Sequence, residues 1–124
     1  MLIIDSDIII WLLRGNIEIK KQFDELIVNS KGLIFITLVQ IAEILAGIRE
    51  KEKNDTELFL KSFNCIPIDY SIAEIAGQYL NEYRKSHNVV LADALIASAA
   101  FIHKLKLWTL NKKHYPMLEN EYLI

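Results

Sequence analysis

Short apolar runs alternate along this chain with longer segments in which apolar residues recur at helical spacing. Residues 2–4, Leu-Ile-Ile, are apolar throughout, which is typical of a strand buried on both faces of a parallel sheet. Comparable short runs predict further strands at residues 33–36, 66–68 and 105–109, and a short fifth strand at 122–124. The pattern therefore predicts a sheet of four to five strands.

The intervening segments predict six helices, over residues 6–13, 17–29, 37–51, 56–63, 71–85 and 91–103. Two of these helices begin with a capping-box pattern, Thr37-Leu38-Val39-Gln40 and Ser71-Ile72-Ala73-Glu74. Strands that alternate with helices imply crossover connections between parallel strands. The predicted fold is therefore α/β, with three layers and a central, mainly parallel sheet between two layers of helices.

The composition of the chain agrees with a single folded domain over residues 1–124. Its 124 residues are enough to close one core, the hydrophobic share is 52%, and no repeat or linker divides it. No apolar run approaches the roughly 18 residues that a membrane span needs. Asp5 lies where a signal peptide would stay apolar, and the single cysteine, Cys65, cannot form an internal disulfide. We therefore expect a cytoplasmic protein that does not associate with membranes.

The distribution of charged residues is more informative than the net charge, and it is uneven near the C-terminus. The formal net charge of −2 argues neither for nor against a nucleic-acid partner, because bound cations can supply a positive field. Between His103 and His114 the chain carries four lysines and no acid, namely Lys104, Lys106, Lys112 and Lys113. This run is either a solvated basic face or a guide for a polyanion.

Acidic residues lie where the predicted sheet would collect reactive groups, beyond the carboxyl ends of its strands. Asp5 ends the first strand, and Asp7 follows two residues later. Two nearby carboxylates repel each other unless a proton or a metal ion intervenes. Asp5 is therefore either the cap of the next helix or part of a cation site.

Two further acids lie on predicted helices. Asp93 is surrounded in sequence by the apolar segment 89–102, and an ionised aspartate in such a helix is costly unless it is paired, hydrogen-bonded or bound to a metal. Glu43 lies at the border of the apolar stripe of the helix that begins after Thr37. It belongs to a site only if it meets Asp5 and Asp93 in space.

The types of these residues suggest a hard cation. The chain has no pair of histidines or cysteines at zinc spacing, no glycine-rich phosphate loop and no nucleophilic serine motif. Carboxylate oxygens without thiolates suit Mg²⁺ or Mn²⁺. These ions activate water and stabilise charge on phosphate oxygens, which is the chemistry of phosphodiester hydrolysis.

The chain resembles the PIN domains, and especially the VapC-type toxins of toxin–antitoxin pairs, over essentially its whole length. Four motifs in order carry the resemblance: residues 5–7 (Asp-Ser-Asp), 37–43 (ending in Glu43), 92–100 (containing Asp93) and 109–115 (Thr-Leu-Asn-Lys-Lys-His-Tyr). It implies a PIN-like α/β/α fold and a metal-dependent endoribonuclease that hydrolyses RNA phosphodiester bonds.

The resemblance also assigns roles to individual residues. Asp5, Glu43 and Asp93 take the places of the catalytic acids that bind Mg²⁺ or Mn²⁺, with Asp5 and Asp93 holding the main ion. The other residues of the implied pocket support this set: Ser6, Asp7, Thr109, Asn111 and His114. Many family members carry an aspartate where this chain has His114. Lys112 and Lys113 are the expected guides for the RNA backbone.

The partners implied by the resemblance are an RNA substrate, a small cognate antitoxin protein and a second copy of the chain in a homodimer. Two other interpretations remain open. Asp5-Ser6-Asp7 after a first strand also resembles the haloacid-dehalogenase-like phosphatases, although Ile8-Ile9 replaces their usual Gly-Thr. Alternatively, the chain is a PIN-like scaffold that binds RNA or protein without catalysis. The histidine at position 114, in place of an acid, would then reflect the loss of catalysis.

Overall fold

A parallel sheet of four strands forms the centre of the computed structural model, which describes all residues from 1 to 124. The strands are β1 (Leu2–Ile4), β2 (Ile34–Thr37), β3 (Asn64–Ile66) and β4 (Lys106–Trp108). They lie in the order β3-β2-β1-β4, and every neighbouring pair is parallel. The all-apolar β1 is thus an inner strand with a neighbour on each side, as its sequence predicts.

The predicted fifth strand is reduced to a single bridge. Leu123 pairs with Leu107 in parallel, and the N–H of Ile124 donates to the carbonyl of Leu107 at 2.8 Å. The C-terminus therefore lies along the outer side of β4 without forming a regular strand.

Six α-helices connect and cover the strands. They are α1 (Ser6–Leu13), α2 (Ile17–Asn29), α3 (Leu38–Ala46), α4 (Lys53–Lys61), α5 (Tyr70–His87) and α6 (Leu91–His103). Short 3-10 helices occur at Glu50–Glu52, Lys112–His114 and Asn120–Tyr122. None of the helices combines the length and the apolar character that crossing a membrane requires.

The core consists of two layers, one on each face of the sheet. Leu2 and Ile4 point to the face that is covered by apolar residues of α1, α2, α3 and α4. Ile3 points to the opposite face, where it packs with residues of α5, α6 and the C-terminal segment. This alternation follows from the two-residue period of a strand. The predicted three-layer α/β/α arrangement is confirmed.

Several predicted boundaries are wrong, among them the helix expected at 56–63, which spans Lys53–Lys61, and three of the errors have a clear local cause. The helix expected to reach residue 51 ends at Ala46, where Gly47, a poor helix former, is followed by a 3-10 turn. The strand expected at 66–68 instead ends at Ile66, because Pro67 lacks a donor for the ladder. Finally, α5 is capped by Asp69, whose Oδ1 accepts from the N–H of Ile72 at 3.0 Å, and not by Ser71.

Candidate active site

Asp5 lies at the carboxyl end of β1 and is held there from several sides. Its N–H donates to the carbonyl of Trp108 at 2.9 Å, which ties it to β4. Its Oδ1 accepts from the N–H of Ser6 at 2.8 Å, and its Oδ2 accepts from the hydroxyls of Thr109 and Tyr115, each at 2.8 Å. Asp5 is therefore the cap of α1 and at the same time a buried carboxylate, so the predicted cap is confirmed, and its part in a cation site stays a prediction.

Gln40 connects β1 with the helix that carries Glu43. The predicted capping box is present: Gln40 Oε1 accepts from the N–H and the hydroxyl of Thr37. In addition, Gln40 Nε2 donates to the carbonyl of Ile4 at 2.9 Å, and Gln40 is fully buried. Since Ile4 directly precedes Asp5, this contact anchors the start of α3 next to the first acid. Glu43 then lies on the same side of α3, three residues further along.

Glu43 and Asp93 are close enough to Asp5 for their charges to interact. Desolvation by the surrounding protein raises the pKa of Glu43, and the charges of Asp5, Asp93 and Asp7 raise it further, whereas the Ser6 hydroxyl lowers it. Desolvation also raises the pKa of Asp93, with His114 opposing and Asp5 adding to the shift. The three acids predicted as a set therefore lie within the range of one another's charges, and Asp5 is at the carboxyl end of β1.

His114 interacts with Asp93. Its Nδ1 lies 3.8 Å from Asp93 Oδ2, and the Asp93 side chain is 16% exposed. This is the only ion pair that involves an acid of the site. His114 thus lies beside Asp93 and offsets part of its negative charge when protonated.

Asp7 ties the loop after β4 to α1. Its Oδ1 accepts from the N–H of Ile8 at 2.7 Å, and its Oδ2 accepts from the N–H of Leu110 at 2.9 Å and from Asn111 Nδ2 at 3.0 Å. Thr109 Oγ1 lies a further 3.4 Å from the same oxygen. With its acceptor positions used in this way, Asp7 holds Thr109 and Asn111 in place, which agrees with a supporting role.

The remaining predicted residues also lie at this edge. Ser6 begins α1, and its hydroxyl contributes to the surroundings of Glu43. Thr109 is buried, whereas Asn111 is exposed. Lys112 and Lys113 are exposed on the 3-10 helix that directly follows Asn111, so the basic pair flanks the acids.

Tyr115 is the site residue that sequence reasoning missed. It is 1% exposed, and its hydroxyl reaches Asp5 across a separation of 110 residues. Burial and the neighbouring Asp5 raise the pKa of this hydroxyl far above its ordinary range, so it remains a proton donor. The sequence shows Tyr115 at the end of the Thr109–Tyr115 motif. However, no pattern among neighbouring residues predicts a hydrogen bond to Asp5, which lies 110 residues away in sequence.

The donor set fits a divalent cation. As they stand, no three histidine, cysteine or acidic side chains are arranged closely enough to enclose an ion. However, the charges of the Asp5, Glu43 and Asp93 carboxylates act on one another, and His114 forms the one ion pair with any of these acids. Mutual repulsion separates such groups, and a hard cation is the partner that draws carboxylate oxygens together. The residues present therefore suit Mg²⁺ or Mn²⁺.

A groove of about 950 Å³ lies between α1, α3 and the segment after Gly47. Glu43 belongs to its lining, together with apolar residues of α1 and α3 and charged residues of the segment after Gly47; they include Ile10, Leu13, Ile44, Arg49, Lys51 and Asp55. A chain that lies in this groove would contact Glu43. Glu43 is the one predicted site residue in this lining.

The crowded acids predict an unusual dependence of stability on pH. The folded-state pKa values of Asp7, Glu43 and Asp93 lie above their ordinary values, so the folded chain binds more protons than the unfolded one in that range. Their contribution is most favourable below the ordinary pKa and is lost as pH rises through the raised value. We expect Asp93→Asn to raise the Tm relative to the unsubstituted chain more at about pH 7.5 than at about pH 4.

Thermal unfolding followed by circular dichroism, in buffer with a chelator, measures this difference. Asp24→Asn on the exposed surface of α2 is the matched control, since it should show no comparable change with pH. A Tm difference for Asp93→Asn that is the same at both pH values would contradict the charge crowding.

Comparison with known proteins assigns the chain to a protein family. The PIN domain family matches residues 2–117. The chain belongs to the PIN domain family. Ribonuclease VapC10 of Mycobacterium tuberculosis is 39% identical to this PIN domain over 121 residues, which are 96% of this chain and 89% of the relative. Ribonuclease VapC19 of the same organism is 35% identical over 118 residues, 94% of each chain.

A solved structure agrees with these relatives. A chain of a toxin–antitoxin complex from Klebsiella pneumoniae superimposes with a TM-score of 0.80 at 25% identity, covering all of this PIN domain and 96% of the solved chain. The resemblance inferred from the four motifs is therefore confirmed, and it decides against the haloacid-dehalogenase-like interpretation.

Proposed function

We propose that this PIN domain is an endoribonuclease and the toxin of a VapBC-type toxin–antitoxin pair, and that it depends on Mg²⁺ or Mn²⁺. The observation that supports the proposal is that the charges of Asp5, Glu43 and Asp93 act on one another, with Asp5 at the carboxyl end of β1. The names of the relatives, ribonucleases VapC10 and VapC19, support it independently.

The three acids divide the chemistry of RNA hydrolysis among them. Asp5 and Asp93 would hold the cation, and Glu43 would complete the site. When bound, such an ion lowers the pKa of water and stabilises charge on the scissile phosphate and the leaving oxygen. Glu43 orients the attacking water, and its carboxylate, with a raised pKa, is placed to accept the proton that the water loses.

Lys112 and Lys113 bind the RNA backbone in this proposal. Both are exposed, and they follow directly on Asn111 at the edge of the pocket. Replacing both with alanine should raise KM and leave kcat nearly unchanged, because these side chains contact phosphates away from the scissile bond. The slope of log affinity against log salt concentration should fall by about 0.7 for each lysine removed.

Fluorescence anisotropy of labelled single-stranded RNA at several salt concentrations measures the effect. Alanine at both Lys61 and Lys85, at the ends of α4 and α5, is the matched control of equal charge. If the control pair changes the slope as much as Lys112 and Lys113, the basic run is only a solvated face.

The proposed protein partners are an antitoxin and a second copy of the chain. The groove beside Glu43 is lined by apolar and charged residues, and an antitoxin segment bound there would keep RNA away from Glu43. Apolar side chains exposed elsewhere, among them Leu38, Tyr70, Val90 and Leu91, are available for a homodimer interface. Sedimentation of the purified chain, alone and with its antitoxin, tests both partners.

The decisive experiment is cleavage of total cellular RNA by the purified chain. We expect cutting with Mg²⁺ or Mn²⁺, none with a chelator, and recovery when the ion is returned. Absence of cutting with either ion across tRNA, rRNA and mRNA pools would contradict the nuclease. In that case RNA retained uncut on the protein would support the binding scaffold.

A further inference from the structure

Two hydroxyl groups converge on one oxygen of Asp5. Thr109 Oγ1 and the Tyr115 hydroxyl both donate to Asp5 Oδ2 at 2.8 Å, and the N–H of Ser6 donates to Oδ1 at 2.8 Å. An ionised carboxylate has about four acceptor positions, two on each oxygen. The two hydroxyls therefore use both positions of Oδ2, and Ser6 uses one of the two on Oδ1.

Tyr115 is fixed independently of this contact. Its ring is buried in the core between the sheet and the layer of α5 and α6. Its backbone N–H donates to the carbonyl of Lys112 at 3.0 Å, and its carbonyl accepts from the N–H of Leu118 at 3.1 Å. A rigid ring that ends in a donor holds the carboxylate in one orientation, whereas an aspartate on its own rotates freely about χ2.

We propose that Tyr115 is a positioning residue of this site: together with Thr109 it saturates Asp5 Oδ2, so that Asp5 binds the divalent cation through Oδ1. The proposal rests on the proposed function, since it concerns the same metal site. Tyr115 does not touch RNA or the reacting atoms, and it acts only through Asp5. Its hydroxyl orients the ligand, while its ring stabilises the fold.

Tyr115→Phe separates these two contributions. It keeps the buried ring and removes only the hydroxyl. Partners that orient a metal ligand are worth about 10- to 100-fold in metal affinity, so we expect the Kd for Mn²⁺ to rise at least about tenfold. Isothermal titration calorimetry with Mn²⁺ alone, without RNA, measures it. Tyr79→Phe is the matched control, because Tyr79 is a half-buried core tyrosine whose hydroxyl has no hydrogen-bond partner in the structure.

Thr109 provides a second test on the same oxygen. Thr109→Val removes the other donor to Oδ2 at nearly constant volume and should also weaken Mn²⁺ binding, whereas Thr109→Ser keeps a hydroxyl and should bind as the unsubstituted chain does. This pair decides the proposal if Tyr115→Phe does not fold. Equal Mn²⁺ affinity in the valine and serine variants would then overturn it.

The outcomes distinguish this proposal from the proposed function. If the unsubstituted chain does not bind Mn²⁺, the metal-dependent function itself is wrong. If it binds Mn²⁺ and Asp93→Asn abolishes binding, but folded Tyr115→Phe binds within twofold of the unsubstituted chain, only the positioning role is wrong. A lower Tm with unchanged Mn²⁺ affinity would make Tyr115 purely structural.

Discussion

Asp93→Asn should reduce RNA cleavage on the order of 100- to 1000-fold, which corresponds to about 3–4 kcal/mol of transition-state stabilisation. The substitution changes one oxygen to an amide group and removes a charge from the region that Asp5 and Glu43 also face. The loss should appear in kcat, because the cation stabilises charge that develops during the reaction. Initial rates on a short labelled RNA with saturating Mg²⁺ or Mn²⁺ measure it.

Folding cannot explain the expected loss. Because desolvation and the neighbouring acid raise the pKa of Asp93, its charge is a cost to the metal-free fold, and the variant should unfold at an equal or higher Tm. Asp24→Asn, in an exposed pair with Lys20, is the matched control and should cleave at the unsubstituted rate. Retention of more than about a tenth of the activity in Asp93→Asn would remove Asp93 from the catalytic set.

Gln40→Ala should lower the free energy of unfolding by about 2–4 kcal/mol. Gln40 is fully buried and bonds both to Thr37, at the start of α3, and to the carbonyl of Ile4 in β1. Truncation leaves that buried carbonyl without its partner and opens a cavity next to the central strand. Denaturant unfolding, with the slope m checked for two-state behaviour, measures the change.

The exposed Gln78 of α5 offers a matched control, and Gln78→Ala should change the stability by less than about 0.5 kcal/mol. A loss below about 1 kcal/mol for Gln40→Ala would show that water or a neighbouring group replaces the bond to Ile4. Cleavage should also fall in Gln40→Ala, since Asp5 directly follows the strand residue that Gln40 holds.

His114 is the predicted site residue that lies against Asp93. Its Nδ1 lies 3.8 Å from Asp93 Oδ2. A carboxylate at this position would instead add to the repulsion between Asp93 and the other acids. Asp7 accepts hydrogen bonds from Leu110, Asn111 and Ile8 and so connects α1 with the loop after β4. Asp5, Glu43 and Asp93 stay the predicted acids of this PIN domain, with His114 beside Asp93.

Much of this fold is determined by local pattern. The fully apolar β1, the capping box at Thr37 and the apolar segment around Asp93 each specify an element from neighbouring residues alone. The wrong boundaries lie where local signals compete: Gly47 within a helical pattern, Pro67 after a short strand, and Asp69 two residues before the equally suitable cap Ser71.

The sequence by itself determined the alternation of strands and helices, the acids at their ends and the type of cation those acids suit. These follow from side-chain periodicity and ligand chemistry, which act over a few residues. Only the tertiary structure decided that Asp5, Glu43 and Asp93 share one region, and that Tyr115 and Gln40 hold the first acid and its strand. Those contacts join residues up to 110 positions apart, and they exist because parallel strands bring their carboxyl ends to one edge.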